Sequence, residues 1–118
     1  MAAHTLVICN GAPYGDERLY NGLRLALSLA RRVGAGLKLF LIGDAVLAAK
    51  AGQQLPEGYY NLGRMIRAVA KAGGEVGVCG TCLDARGIAD GPFVEGVQRG
   101  SMDQLTDWTE EAERVVVF

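Results

Sequence analysis

A surplus of positive charge is missing from this chain: 12 Lys and Arg stand against 13 Asp and Glu in 118 residues, a formal net charge of −1. Affinity for nucleic-acid phosphates comes mainly from cations that displace counterions, so no nucleic-acid partner is expected. A long apolar run is missing too. The longest, Leu37 to Ile42, is interrupted by Lys38 and falls far short of the ~20 residues that cross a bilayer. The opening MAAHTLVICN has no basic segment leading into an apolar core, so no membrane is expected and the expected location is the cytoplasm. Cysteines are few and odd in number, and three cannot all pair within one chain; they are read as thiols in a reducing compartment. Histidine occurs once, at His4. A closed zinc site needs four ligands, and beyond Cys79 and Cys82 the only soft donors are Cys9 and His4, so no metal is expected.

What is present describes a folded domain. Half of the residues are hydrophobic and 21% are charged, a balance that argues against disorder. At ~100 to 200 residues per domain, 1–118 makes a single unit, and a chain of this size buries roughly two-thirds of its unfolded surface. The 17 glycines are about twice the average share of ~7% and predict many tight turns.

Along the chain, short apolar runs alternate with helical spacing. His4 to Cys9 (HTLVIC) reads as a buried strand running into a loop, Asn10 to Gly15. Asp16 is placed to cap a helix over about Glu17 to Val33, whose apolar stripe (Leu19, Leu23, Ala26, Leu27, Ala30, Val33) is widened by Leu25 and Leu29. A stripe that wide suits a helix covered on more than one side. Leu37 to Ile42 is a second strand, followed by Asp44 capping a helix over Ala45 to Ala51. Gly52 to Gly58 is a loop. Tyr59 to Ala72 returns to helical spacing, with Arg64, Arg67 and Lys71 on its polar side. Glu75 to Val78 is a third strand, ending at Cys79, and a further strand is read around Phe93 to Val97. Ser101 and Gln104 form a capping box for a helix through about Glu111, and Arg114 to Phe118 closes the chain as a last strand.

This alternation predicts one three-layer α/β domain with a mostly parallel sheet of about five strands, flavodoxin-like or doubly wound. In such sheets reactive groups gather where the carboxyl ends of the strands meet the loops, which here means Asn10 to Asp16, Gly43-Asp44 and Cys79 to Arg86.

Cys79-Gly80-Thr81-Cys82 carries the chemistry. If a helix starts near Thr81, its free N–H groups lie beside the sulfurs and favour thiolate over thiol, and the thiolate is the nucleophile. Arg86, four residues past Cys82, is a further positive charge in the same segment. The pattern itself leaves three alternatives: a zinc pair, two small residues that pack at a turn, and a dithiol exchanger of the thioredoxin kind. In the last, the motif belongs near the amino end, whereas here it lies two-thirds of the way along the chain.

The blocks N-G-A-P-Y-G-D-E-R (Asn10 to Arg18), L-R-L-A-L (Leu23 to Leu27), F-L-I-G-D-A-V (Phe40 to Val46), C-G-T-C-L-D-A-R-G-I (Cys79 to Ile88) and the terminal R-V-V-V-F together resemble the DsrE/DsrF-like family, most closely its YchN-like branch. The resemblance spans essentially the whole chain. It implies a small sulfur-handling protein, a carrier or sulfurtransferase component, in which the cysteine at the end of the third strand holds sulfane sulfur as a persulfide between donor and acceptor proteins. The matching position is Cys79. Cys82 matches the YchN-like branch, either as a resolving thiol or as a residue of the first helical turn. The resemblance also implies trimers or hexamers. No cofactor is expected: nothing in the sequence supplies the pyridoxal-binding lysine of a cysteine desulfurase.

The remaining candidates each have a plainer role beside the functional one. His4 reads as a surface residue at a strand start and Cys9 as a core residue. Asp16 and Asp44 read as helix caps on the same edge as Cys79. Pro13 and Tyr14 belong to the first loop, where Tyr14 either covers the sulfur or packs on the next helix. Thr81, Asp44 and Arg86 are the other expected supports of the site. Arg64, Arg67 and Lys71 read as a solvated helix side or a dock for an acidic partner. The competing function is a non-catalytic oligomeric binding or assembly module with structural cysteines, or a C-x-x-C redox protein.

Overall fold

The computed structural model describes residues 4–118. Five strands form one all-parallel sheet: β1 (Thr5–Cys9), β2 (Leu37–Leu41), β3 (Glu75–Cys79), β4 (Val97–Gly100) and β5 (Arg114–Val117), in the order β4-β3-β2-β1-β5. The helices are α1 (Arg18–Val33), α2 (Leu62–Lys71), α3 (Gly80–Ala85) and α4 (Met102–Glu111), with 3-10 segments at Gly34–Gly36 and Gly43–Ala49.

The strand order explains which face each helix covers. From β1 to β4 the sheet grows in one direction, so right-handed crossovers put α1 and α2 on one face; β5 returns beyond β1, so the same handedness sends α4 to the other. Period-two alternation then sorts the side chains. Leu37, Leu39 and Leu41 of β2, with Val7 and Cys9 of β1, are fully buried under α1 and α2. Phe40 points the opposite way, its ring edge-on to Trp108 of α4 with centroids 6.1 Å apart. Leu19, Leu23, Ala26 and Ala30 supply the buried face of α1, the two leucines contributing roughly 1.5–3 kcal/mol each by leaving water. Gly22 on that helix is required by close approach: a Cβ there would lie 2.7 Å from the Cys9 sulfur and 3.1 Å from the Phe118 ring. On the α4 face the cover is incomplete, and Val115 and Val117 of the edge strand β5 are 43% and 61% exposed.

The doubly wound α/β reading therefore holds, with corrections at several elements. Asp16 accepts the backbone N–H of Arg18 at 2.9 Å, but α1 starts at Arg18 rather than Glu17, and its N-cap position is Glu17, which makes no side-chain cap bond. Asp44 does not cap: it lies within a 3-10 segment from Gly43 to Ala49 that has no side-chain cap bond. The helix expected from Tyr59 starts at Leu62, because Asn61 accepts the Arg64 N–H and fixes the first turn there. The strand expected around Phe93 to Val97 runs from Val97 to Gly100, and Phe93 makes only a bridge to Lys50. Ser101 caps α4 through the Gln104 N–H as expected. No helix among the described residues is long and apolar enough to cross a membrane.

Candidate functional site

Cys79 ends β3, and the chain turns directly into α3 at Gly80. The same alternation that points Phe40 towards α4 points Gly77 and Cys79 there as well, since Phe40 pairs with Gly77 across the β2–β3 ladder. A cavity of about 230 Å³ opens on that side, lined by Phe40, Cys79, Thr81, Arg99, Ser101 and Met102 among others. Cys79 is thus buried, at 6% exposure, but it faces a cavity rather than packed hydrocarbon.

Its electrostatics follow from what surrounds the sulfur. Burial opposes ionisation and is the largest single influence, but it is outweighed by four hydrogen-bond donors: the Cys82 thiol, the Thr81 hydroxyl, and the backbone N–H groups of Cys82 and Thr81. The Cys79 pKa is held below the ordinary thiol value. The Thr81 oxygen lies 3.4 Å from the sulfur. Cys82 moves the opposite way. Burial raises its pKa, and donating to the Cys79 sulfur raises it further, while the Gly43 N–H and Arg86 act in the other direction. The two thiols of one C-x-x-C are therefore pushed apart, one towards the anion and one towards the protonated donor.

Asp44 and Arg86 brace the second cysteine. The Gly43 N–H donates to the Cys82 sulfur at 3.3 Å. Arg86 donates to the Cys82 carbonyl at 3.1 Å and grips Asp44 at 2.8 Å, so a carboxylate read as a helix cap in fact joins the turn after β2 to α3. Pro13 and Tyr14 lie elsewhere. The Tyr14 hydroxyl donates to the Tyr60 carbonyl at 2.9 Å and accepts the Leu62 N–H at 3.3 Å, and both residues line a different cavity at the start of α2. Tyr14 is not among the residues lining the Cys79 cavity.

Cys9 is a core residue, fully buried, and burial pushes its thiol up to about 12. His4 is exposed, and its carbonyl receives the Glu113 and Arg114 N–H groups. Arg64, Arg67 and Lys71 are exposed on α2. Among the described residues no group of three or more His, Cys, Asp or Glu is placed to hold a metal ion.

Two residues of the site went unread in the sequence. Arg99 of β4 forks onto Asp84 with bonds of 3.2 and 2.9 Å. Its guanidinium also lies over Gly80, where a Cβ would come within 2.7 Å of it, and adds positive charge beside Cys79. Gln104 of α4 has a buried carbonyl oxygen with no hydrogen-bond partner. It occupies the space that side chains at Gly77 and Gly100 would fill. The signal for Arg99 was a Gly-Arg contact between residues 19 apart, which no local pattern encodes.

An all-parallel, doubly wound domain with a cysteine of lowered pKa at a strand-to-helix corner defines a class of small α/β thiol proteins. Residues 3–118 match the model of the DsrE/DsrF-like family, and the chain belongs to that family. It is 41% identical over 114 residues to the protein YchN of Escherichia coli, covering 96% of this chain and 97% of that one. A protein of Methanopyrus kandleri is 39% identical over 112 residues, covering 95% and 91%. The crystal structure of YchN from E. coli superposes with a TM-score of 0.91 at 39% identity, over 98% of this chain and 99% of that one. A Bacteroides thetaiotaomicron protein at 18% identity shares the fold, with a TM-score of 0.66 over 97% and 94% of the two chains.

Proposed function

We propose that this protein is a carrier in an intracellular sulfur relay and holds sulfane sulfur as a persulfide on Cys79. The observation that carries the reading is the set of four donors on one sulfur that faces a cavity. They stabilise an attacking thiolate, and the same donors are available to a persulfide anion formed there.

The step balances without net oxidation. The Cys79 thiolate attacks the outer sulfur of a donor protein's persulfide. An S–S bond to Cys79 forms, the donor's S–S bond breaks, and the donor leaves as a thiolate. An acceptor thiolate repeats the attack on the outer sulfur and releases Cys79. Cys82, held protonated, hydrogen-bonds the anion in each resting state. Were Cys82 instead to attack the inner sulfur, hydrosulfide would leave and a Cys79–Cys82 disulfide would form, ending transfer until a reductant acted. Its raised pKa disfavours that route. Assembly into trimers or hexamers is part of the same reading, and the exposed Val115 and Val117 favour it.

The test is intact mass after incubating the reduced protein with a persulfide donor. A gain of one sulfur atom, absent in Cys79→Ser and discharged by an added thiol, is expected. No gain with any persulfide donor would overturn the proposal in favour of a binding module.

A further inference from the structure

A second well-formed cleft does not contain Cys79. It has a volume of about 320 Å³ and lies at the start of α2, between the loop after β1, the segment following β2, and Phe93-Val94-Glu95. At roughly 30 Å³ per water it has room for about ten waters. That is more than an inorganic anion needs and too little for a folded peptide.

Its charge is one-sided. Lys50, Arg64 and Arg67 line it against a single carboxylate, Glu95, and Glu95 pairs with Arg67 at 3.4 Å. Lys50 gives one hydrogen bond to the Gly91 carbonyl, and Arg64 makes no ion pair among the described residues. In the first turn of α2 the Leu62 N–H goes to the Tyr14 hydroxyl and the Arg64 N–H to Asn61. The Gly63 N–H has no acceptor among the described residues, and Gly63 itself lines the cleft. Phe93, Leu55 and Tyr14 give the wall apolar and aromatic surface, beside the uncharged polar side chains of Gln53 and Asn61.

One wall is also strained into place. Tyr14 sits at φ +62°, a left-handed conformation that costs a non-glycine residue free energy. It is held there by its two hydroxyl bonds and by stacking on Tyr60, centroids 5.3 Å apart.

We infer that this cleft is a second binding site, distinct from the thiol, for a small organic anion: a phosphate or carboxylate head carried on a flat aromatic or apolar body. The head meets Arg64, Lys50 and the Gly63 N–H; the body lies against Phe93 and Tyr14. The site does not depend on sulfur chemistry at Cys79.

The experiment is an amide NMR titration of the labelled full-length protein with phenyl phosphate, benzoate and inorganic phosphate. Saturable shifts at Gly63, Arg64 and Phe93, and not at Cys79 to Cys82, are expected with phenyl phosphate or benzoate, and whichever binds identifies the head. Inorganic phosphate should bind roughly tenfold or more weakly, because it lacks the ring whose burial contributes. Arg64→Glu removes an exposed charge without touching the core and should abolish the shifts. Gly63→Leu should also abolish them by filling the cleft, since a Cβ there meets only ordinary contacts, the nearest 3.4 Å away on Val94. Both variants should still take up sulfur on Cys79 if that reading holds. Absence of saturable binding by either aromatic probe, equal binding of inorganic phosphate, or full binding by both variants would overturn the inference.

Discussion

Removing the Thr81 hydroxyl probes the sulfur's environment with little disturbance, because Thr81 is exposed and its oxygen is one of only two side-chain donors to Cys79. A hydrogen bond to a charged group contributes about 1.5–3 kcal/mol. At 3.4 Å from sulfur on an exposed residue this one belongs at or below the low end, and one pKa unit is 1.36 kcal/mol. Thr81→Val should therefore raise the Cys79 pKa, because the thiolate loses a donor. The assay is the rate of iodoacetamide alkylation at Cys79 against pH, followed by peptide mass. Below both midpoints the variant should react about three- to tenfold more slowly, since rate tracks the thiolate fraction. Above both midpoints the curves should meet. Thr81→Ser, which keeps the hydroxyl, should restore the wild-type profile. An unchanged midpoint in Thr81→Val would refute the claim that these donors hold the thiolate.

Within the wild-type chain, Cys79 should be alkylated at neutral pH well before Cys9, whose thiol titrates at about 12 and is fully buried; equal rates would contradict the assignment of one activated thiol. Gly22→Ala should destabilise the fold by about 1–2 kcal/mol in urea unfolding, overpacking outweighing the better helix propensity. The cost should shrink in a Cys9→Ala background, because the 2.7 Å contact is to the Cys9 sulfur. Light scattering should report several subunits, sealing Val115 and Val117; a stable monomer would remove the proposed assembly.

What was legible in the sequence was whatever local chemistry encodes. HTLVIC and LKLFLI announce strands because apolar residues run without polar interruption, and Ser101 announces α4 because its cap bond spans three residues. Cys79 was found because a strand end and a C-x-x-C coincide. Long-range pairings were not legible. Asp44 was read as a cap from its neighbours, but its carboxylate is claimed by Arg86, 42 residues away. Arg99 carries no local signal because β4 (Val97–Gly100) is a polar edge strand, with Gln98 and Arg99 exposed, that shows no apolar run. Tyr14 and Cys79 both lie at strand ends, which suggests proximity, but the Tyr14 hydroxyl is committed to Tyr60 and Leu62.

The most direct test of the central claim is peptide-level mass mapping of where the transferred sulfur resides after a single turnover with a persulfide donor. The account predicts the extra sulfur atom on Cys79, with Cys9 and Cys82 unmodified and with uptake slowed in Thr81→Val below neutral pH. Sulfur found on Cys82 or Cys9 while Cys79 stays a free thiol would contradict it.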